Sequence, residues 1–325
     1  MAINSPAKPP SPEPGSGVYV TVENLLQWRY LARDISLDTR KKSSAQADGD
    51  SKTHFRGRGM EFSEVRPYQA GDDIRNIDWR VTARTLQTYT KLFQEERERP
   101  VYLVVDQRSP MFFGSGQLFK SVYAAQLAAV IGWSAVNNND RLGALVVGDQ
   151  QQEDLRARRG KHAILALVNR LAEFNQRLTS PVGTAASTDM EAILTEIRRV
   201  ARPGSAVFII SDFHDFDDSC TGLLAQAARH IDVTLFKLFD PLERQLPPRR
   251  ELTLSNNQAR LTVSTAEPGF LDSYRQAFDQ RHQQVQHASR QAGCRYTQLN
   301  IHEPLDQQIR ELFVSRRERR KRSCV

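Results

Sequence analysis

Residues 101–106, Val101-Tyr102-Leu103-Val104-Val105-Asp106, form an apolar run that stops at a carboxylate, and 206–212, Ala206-Val207-Phe208-Ile209-Ile210-Ser211-Asp212, repeat the arrangement. A strand with one wet face alternates apolar and polar residues, so an uninterrupted run of this length predicts a strand covered on both faces. Helical and strand patterns alternate around these two runs. Residues 117–136 are alanine-rich and helical, with Leu118, Val122, Leu127 and Val130 available to pack. A strand over 142–147 follows, and the polar segment after Gly148 is placed as an antiparallel edge that ends before Gly160. Helices are expected at about 161–177 and 188–200, the second with Met190, Ile193, Leu194, Ile197 and Val200 at helical spacing until Arg202-Pro203-Gly204 stops it. A helix at 219–230, a strand at 231–236, a helix at 269–292, a strand at 295–299 and a helix from 304 to 316 complete the series. Within it, Pro247-Pro248 followed by Leu252, Leu254, Leu261 and Val263 predicts a β-hairpin excursion. Strands joined by helices of this length require crossover connections, whose right-handed preference puts helices on both sheet faces. The expected fold class is α/β, with a mainly parallel, doubly wound sheet.

Upstream the pattern weakens. Residues 1–17 carry five prolines among small polar residues and are expected to be disordered. Val22, Leu25, Leu26, Arg29 and Tyr30 fit a short amphipathic helix from 21 to 32, with Thr21 as its cap, and 38–53 read as a loop. Residues 54–98 hold too few apolar side chains for a core of their own, although 86–93 alternate as a strand does. The expected organisation is a terminus over 1–17, an attachment over 18–99, the main domain over 100–315 and a basic arm over 316–325.

The formal charge of +7 is concentrated at the end of the chain: Arg316-Arg317-Glu318-Arg319-Arg320-Lys321-Arg322 contributes +5, leaving +2 elsewhere. A terminal arm is basic; the body is not. Three cysteines without CxxC spacing suggest neither a disulfide scaffold nor a zinc site. No apolar stretch is long enough to span a bilayer, no signal-peptide core precedes the fold, and no Gly-rich lysine phosphate loop is present. A cytoplasmic protein is expected, with peripheral membrane association as the alternative.

Ligands in open α/β sheets collect beyond the carboxyl ends of the strands, where Asp106 and Asp212 emerge. Two carboxylates brought together there suit a hard cation such as Mg²⁺ when hydroxyl oxygens join them. Each is equally readable as a loop or helix cap. The run Asp212, His214, Asp215, Asp217, Asp218 also admits a metal-dependent hydrolase, although closely spaced acids more often form a solvated turn.

The block before the first strand is more specific. Gly57, Gly59, Glu61, Arg66, Tyr68, Gly71, Asp72, Asp73, Arg75, Asp78, Trp79 and Arg84 are spaced so that the chain closely resembles the bacterial DUF58 family, which is related to von Willebrand factor A domains. The segment from Val105 to Gly114 and the following Lys120 resemble a variant of the corresponding family segment. By that resemblance Asp106, Thr188 and Asp212 take the positions of metal ligands, while Arg108 and Pro110 stand where two serine ligands are found. Arginine and proline offer a cation no side-chain oxygen, so Arg108 is expected to set its own charge against Asp106 and Asp212. Ser109 is a local substitute ligand in the same loop. The signature block itself is read as a hydrogen-bonded brace, with Trp79 buried and with Arg75, Arg80 and Arg84 pairing with Asp78 or Glu61.

The resemblance implies a non-enzymatic adaptor or chaperone-like partner of a MoxR-type AAA+ ATPase, acting on a protein client. Its expected recognition face comprises the loops 106–113, 184–189 and 212–218, with Arg108, Ser109, Met111, Phe112, Phe113, His214 and Asp215 as contact residues; packing of one or more of Met111, Phe112 and Phe113 under the loop is an equal reading. Nucleic acid or an anionic membrane held by the basic arm is the alternative partner. Cys324 lies next to the last residue, two positions too late for prenylation.

Overall fold

The structure is a computed structural model that describes residues 17–33, 35, 60–69, 72–95, 100–176, 188–248, 251–255, 260–266 and 268–313. The terminus over 1–16, the loop over 38–53, Gly57, Gly59, Gly71, the side chain of Glu61 and the basic arm lie outside the described residues.

The apolar run at 101 becomes the centre of a six-stranded sheet. It contains β3 (Pro100–Asp106), β4 (Arg141–Val147), β5 (Gln152–Arg158), β6 (Ala206–Ser211), β7 (Asp232–Phe239) and β10 (Arg295–Asn300). Their order across the sheet is β10-β7-β6-β3-β4-β5, all parallel except the antiparallel β4–β5 pair at one edge. Numbered within the sheet alone, this is the doubly wound order 3-2-1-4-5-6, and the chain reverses direction between β3 and β6. This is the expected α/β fold of von Willebrand factor A type.

Both sheet faces are covered, which is why β3 and β6 are apolar without alternation. On one face α3 (Lys120–Asn137), α4 (Lys161–Asn175) and α9 (Leu305–Phe313) enclose Leu103, Val105, Phe208 and Ile210. On the other, α5 (Met190–Val200), α6 (Asp218–Ala228) and α8 (Phe270–Gln291) enclose Tyr102, Val104, Val207 and Ile209. Gly132 lets α3 approach α4, since a Cβ there would lie 2.6 Å from the Ile164 side chain. The expected hairpin is β8 (Glu251–Ser255) with β9 (Arg260–Ser264), paired antiparallel.

The N-terminal helix is shorter than its sequence suggests. Thr21 caps α1 (Val22–Gln27) by accepting from Asn24 N, and a 3₁₀ turn at Leu31–Arg33 replaces the later helical residues. Grouped with the attachment by sequence, this segment instead packs into the main core through Val20, Leu25, Ala32 and Ile35. Val20 N donates to the buried Asn175 side chain at 2.8 Å, and Ser134 Oγ to Ile35 O at 2.8 Å.

The described residues between 60 and 95 belong to a separate compact unit. In it β1 (Met60–Pro67) pairs antiparallel with β2 (Tyr89–Glu95), and α2 (Trp79–Thr85) lies between them in sequence. The strand expected from 86 begins only at Tyr89, because Leu86 ends α2 in the left-handed region with φ 61°. Trp79, expected to be buried, is 67% exposed.

Candidate functional site: an acid cluster closed by two buried cations

Asp106 ends β3, and Ser211 ends β6 with Asp212 directly after it, on the two sides of the point where the sheet order reverses. The topology therefore brings together carboxylates about a hundred residues apart. Phe213, immediately after Asp212, takes φ 52°, a left-handed conformation that is costly for a side chain with a Cβ. Its ring is 1% exposed and packs edge-on against Phe216 at 6.3 Å, and its N–H donates to Ser211 Oγ at 3.0 Å. Burial of the aromatic ring holds the turn that separates Asp212 from His214.

Arg108 fills the space between the first strand and the loops opposite. Its Nε and Nη2 donate to the two oxygens of Asp106 at 3.0 and 2.8 Å, and Nη1 and Nη2 donate to Asp215 at 2.5 and 3.1 Å. A further Nη1 bond reaches Thr188 O at 3.0 Å. A guanidinium has five N–H donors, and all five are used. Burial opposes the charge of Arg108, but Asp106 and Asp215 outweigh it and raise its pKa above the ordinary value. Asp215, desolvated but bonded to Arg108, stays below the usual carboxylate range and also accepts from Met190 N at 2.9 Å, at the start of α5. The expected pairing of Arg108 with Asp106 is present; the second carboxylate is Asp215 rather than Asp212.

Asp212 belongs to another cation. Lys120, the first residue of α3 and 1% exposed, donates to Asp212 Oδ2 at 2.7 Å and to Glu243 Oε1 at 2.6 Å. An ammonium at a helix N-terminus opposes the helix dipole and is desolvated here, so two carboxylates are needed to hold it. Their attraction exceeds the burial penalty and raises the lysine pKa. Burial acts to raise the pKa of Asp212, and Lys120 with His214 overcomes it to leave the carboxyl strongly depressed. His214 Nδ1 lies 3.0 Å from Asp212 Oδ1; burial disfavours its charge, but Asp212 and Asp215 shift it upward overall.

Glu243 is carried by α7 (Pro241–Arg244), a short helix closed by a capping box with Asp240. Asp240 is fully buried and accepts Ser115 N and Oγ at 2.6 and 2.5 Å, which ties the loop before α3 to the end of β7.

This donor set does not fit a divalent cation. Asp106 accepts four hydrogen bonds, from Arg108 N, Nε and Nη2 and from Ser211 Oγ. Asp212 accepts from Lys120 and from the backbone and ring of His214. A metal would have to displace these donors while two buried cations stay nearby. Thr188 reaches the cluster through its carbonyl, and Ser109 turns away, its N–H and hydroxyl both donating to Asp149. Among the described residues no group of three or more His, Cys, Asp or Glu side chains is arranged to hold a metal. Nor do the acids after β6 converge: Asp217 caps α6 through Cys220 N at 3.1 Å, and Asp218 accepts from Gln284 at 3.2 Å.

The expected aromatic contact residues separate. Met111 is fully buried in the main core, because the 3₁₀ turn Ser109–Met111 folds it inward, whereas Phe112 and Phe113 are half-buried. In the separate signature unit, Arg66 pairs with Asp72 at 2.6 Å, Tyr68 N donates to Thr88 O at 2.8 Å, and Asp73 caps the turn containing Arg75. Asp78 caps α2, whose last turn holds Arg84, and pairs with Lys91 at 3.5 Å in place of the expected arginines. Sequence reasoning noted Lys120 only as part of a motif and missed Glu243. The signal for Glu243 was Asp240-Pro241-Leu242-Glu243, an N-cap followed by proline and an acid at the third helical position.

Fold and site together define a von Willebrand factor A-type domain whose acidic strand ends are bridged by side-chain cations. The chain belongs to the family described as "Protein of unknown function DUF58", which matches residues 64–288. It is 29% identical over 246 residues to Uncharacterized protein Mb1516 of Mycobacterium bovis and, equally, to Uncharacterized protein Rv1480 of Mycobacterium tuberculosis, covering 75% of this chain and 76% of each relative. Among solved structures it is similar to BatB from Bacteroides thetaiotaomicron, with TM-score 0.38, 14% identity and coverage of 62% of this chain and 90% of that one. An aerotolerance-related membrane protein from Bacteroides fragilis gives TM-score 0.38 at 11% identity, over 66% and 96% of the two chains.

Proposed function

We propose that the chain is a non-enzymatic, cytoplasmic adaptor that binds a MoxR-type AAA+ ATPase and presents a protein client to it. The observation that carries the interaction role is the exposure of three large apolar side chains on the signature segment: Ile74 at 64%, Trp79 at 67% and Leu86 at 94%. Apolar side chains this exposed on one short segment favour a partner surface, and tryptophan is among the residues that contribute most to such contacts. Trp79 and Leu86 stand seven residues apart, two turns along α2 and its cap. The DUF58 resemblance supports the choice of an AAA+ ATPase as partner. The acid cluster supports a non-catalytic role, since its carboxylates are consumed by Arg108 and Lys120 and act as a clamp on the loops around them. No helix among the described residues is long and apolar enough to cross a membrane.

The test is affinity capture of the full chain from its native cell extract, with Trp79→Ala and Leu86→Asp as variants. Capture of an AAA+ ATPase that falls at least tenfold in either variant, at unchanged melting temperature, supports the reading. Capture unaffected by both variants contradicts it. Salt-sensitive recovery of nucleic acid or anionic lipid, lost on deleting residues 316–325, favours the basic arm instead.

A further inference from the structure

Lys237 is a charged residue in the middle of an apolar strand, Asp232–Phe239, and it is 4% exposed. Its register neighbours are Ser211 of β6 and Gln298 of β10, at the carboxyl end of the sheet. Among the described residues nothing hydrogen-bonds or ion-pairs with its amine, and its nearest compensation is the Phe278 ring, 5.2 Å from Nζ. A buried ammonium without a direct carboxylate contact is costly.

Lys237 lines a cavity of about 230 Å³ together with Asp212, His214, Glu243, Tyr274 and Arg281, with Phe278 and Leu238 among its apolar wall. Both carboxylates on this wall are already engaged by Lys120, at 2.7 and 2.6 Å. Among the lysine, arginine and carboxylate groups, Lys237 and Arg281 on the wall and Lys120 beside it stand against Asp212 and Glu243, one cation in excess, and His214, whose charged form Asp212 and Asp215 favour, adds to the positive side. Burial pulls the Lys237 pKa down to about 8, and Arg281 and Lys120 push the same way against Asp212 and Glu243. An anion entering the cavity would remove that penalty.

We propose that this cavity is a binding site for a single carboxylate on a short aliphatic stem, with Lys237 as its ion-pair partner, Arg281 at the rim and Tyr274, Phe278 and Leu238 against the stem. The cation in excess suits a monoanion. A phosphate dianion would meet the carboxylates of Asp212 and Glu243 on the same wall with twice the repulsion. An acidic side chain of a protein or a free carboxylic acid supplies the same chemistry. The site stands on Lys237 and its surroundings and holds whether or not the partner is an AAA+ ATPase.

The experiment measures lysine labelling in the full-length chain by reductive methylation and mass spectrometry, with butyrate, inorganic phosphate and a capped Gly-Glu-Gly peptide as probes. Labelling follows the free fraction, so butyrate at ten times its Kd should slow modification of Lys237 about tenfold and leave surface lysines unchanged. The same butyrate should raise the melting temperature of the wild type and not that of Lys237→Met, an apolar replacement compatible with the fold. Arg281→Gln should weaken binding several-fold. Protection by the peptide assigns the site to an acidic side chain, and protection by butyrate alone assigns it to a free acid; both support the carboxylate site. Absence of protection by either, better protection by phosphate, or an equal thermal shift in Lys237→Met would overturn it.

Discussion

Arg108 shows how far a single residue could be read. The family resemblance set it where a serine ligand is found, and its lack of a side-chain oxygen then led to the expectation of a guanidinium set against Asp106. The second partner was not legible, because Asp212 and Asp215 are three residues apart on one loop and only the left-handed turn at Phe213 decides which faces Arg108. Removing the guanidinium leaves Asp106 and Asp215 desolvated, so Arg108→Ala is expected to destabilise the fold by about 3–5 kcal/mol in urea unfolding. Arg108→Lys should recover only part of this, since three donors replace five. Lys237 behaves in the opposite sense. Its folded pKa of about 8 lies below the ordinary 10.5, so the penalty is fully present below pH 8 and is relieved as the pH rises from 8 through 10.5. Lys237→Met is therefore expected to stabilise the protein by about 2–3 kcal/mol at pH 7, a gain that shrinks toward pH 10 when the two unfolding curves are compared.

Among the elements, long periodic segments were legible and short ones were not. Met190, Ile193, Leu194 and Ile197 all lie buried on α5 as their spacing predicts, and the helix begins where Asp189 accepts Ala192 N at 2.7 Å. By contrast α7 has too few residues to show any period, yet it carries Glu243 to Lys120. Met111 illustrates the same limit: its neighbours left open whether it is an exposed anchor or packs under the loop, and a single 3₁₀ turn puts it in the core. Asp240→Ala removes the cap of α7 and leaves the Ser115 N–H and hydroxyl without their acceptor. A loss of about 2–3 kcal/mol is expected in chemical denaturation. Asp189→Ala, which removes only one exposed cap, should cost about 1 kcal/mol.

For the whole molecule, the alternation of apolar runs and helices was sufficient to give the doubly wound sheet, because each strand had to be covered on both faces. The docking of the N-terminal segment was not legible, since it depends on hydrogen bonds to Asn175 and Ser134, more than ninety residues away. The ionic cluster links strand ends across this sheet and makes stability depend on acid. Asp212 and Asp215 have folded pKa values below the ordinary 3.8, so their contribution is present above that value and is lost as pH falls through the depressed ones. Asp215→Asn should reduce stability at pH 7 and flatten the acid branch of the unfolding profile below pH 4, followed by circular dichroism.

The central claim is that side-chain cations, not a metal, close the acid cluster at the carboxyl end of the sheet. Titration of Mn²⁺ into the full-length protein, followed by calorimetry and by melting temperature with and without a chelator, tests it most directly. The account predicts no saturable binding and no chelator-dependent shift. Stoichiometric Mn²⁺ binding that stabilises the wild type and disappears in Asp106→Asn would contradict it.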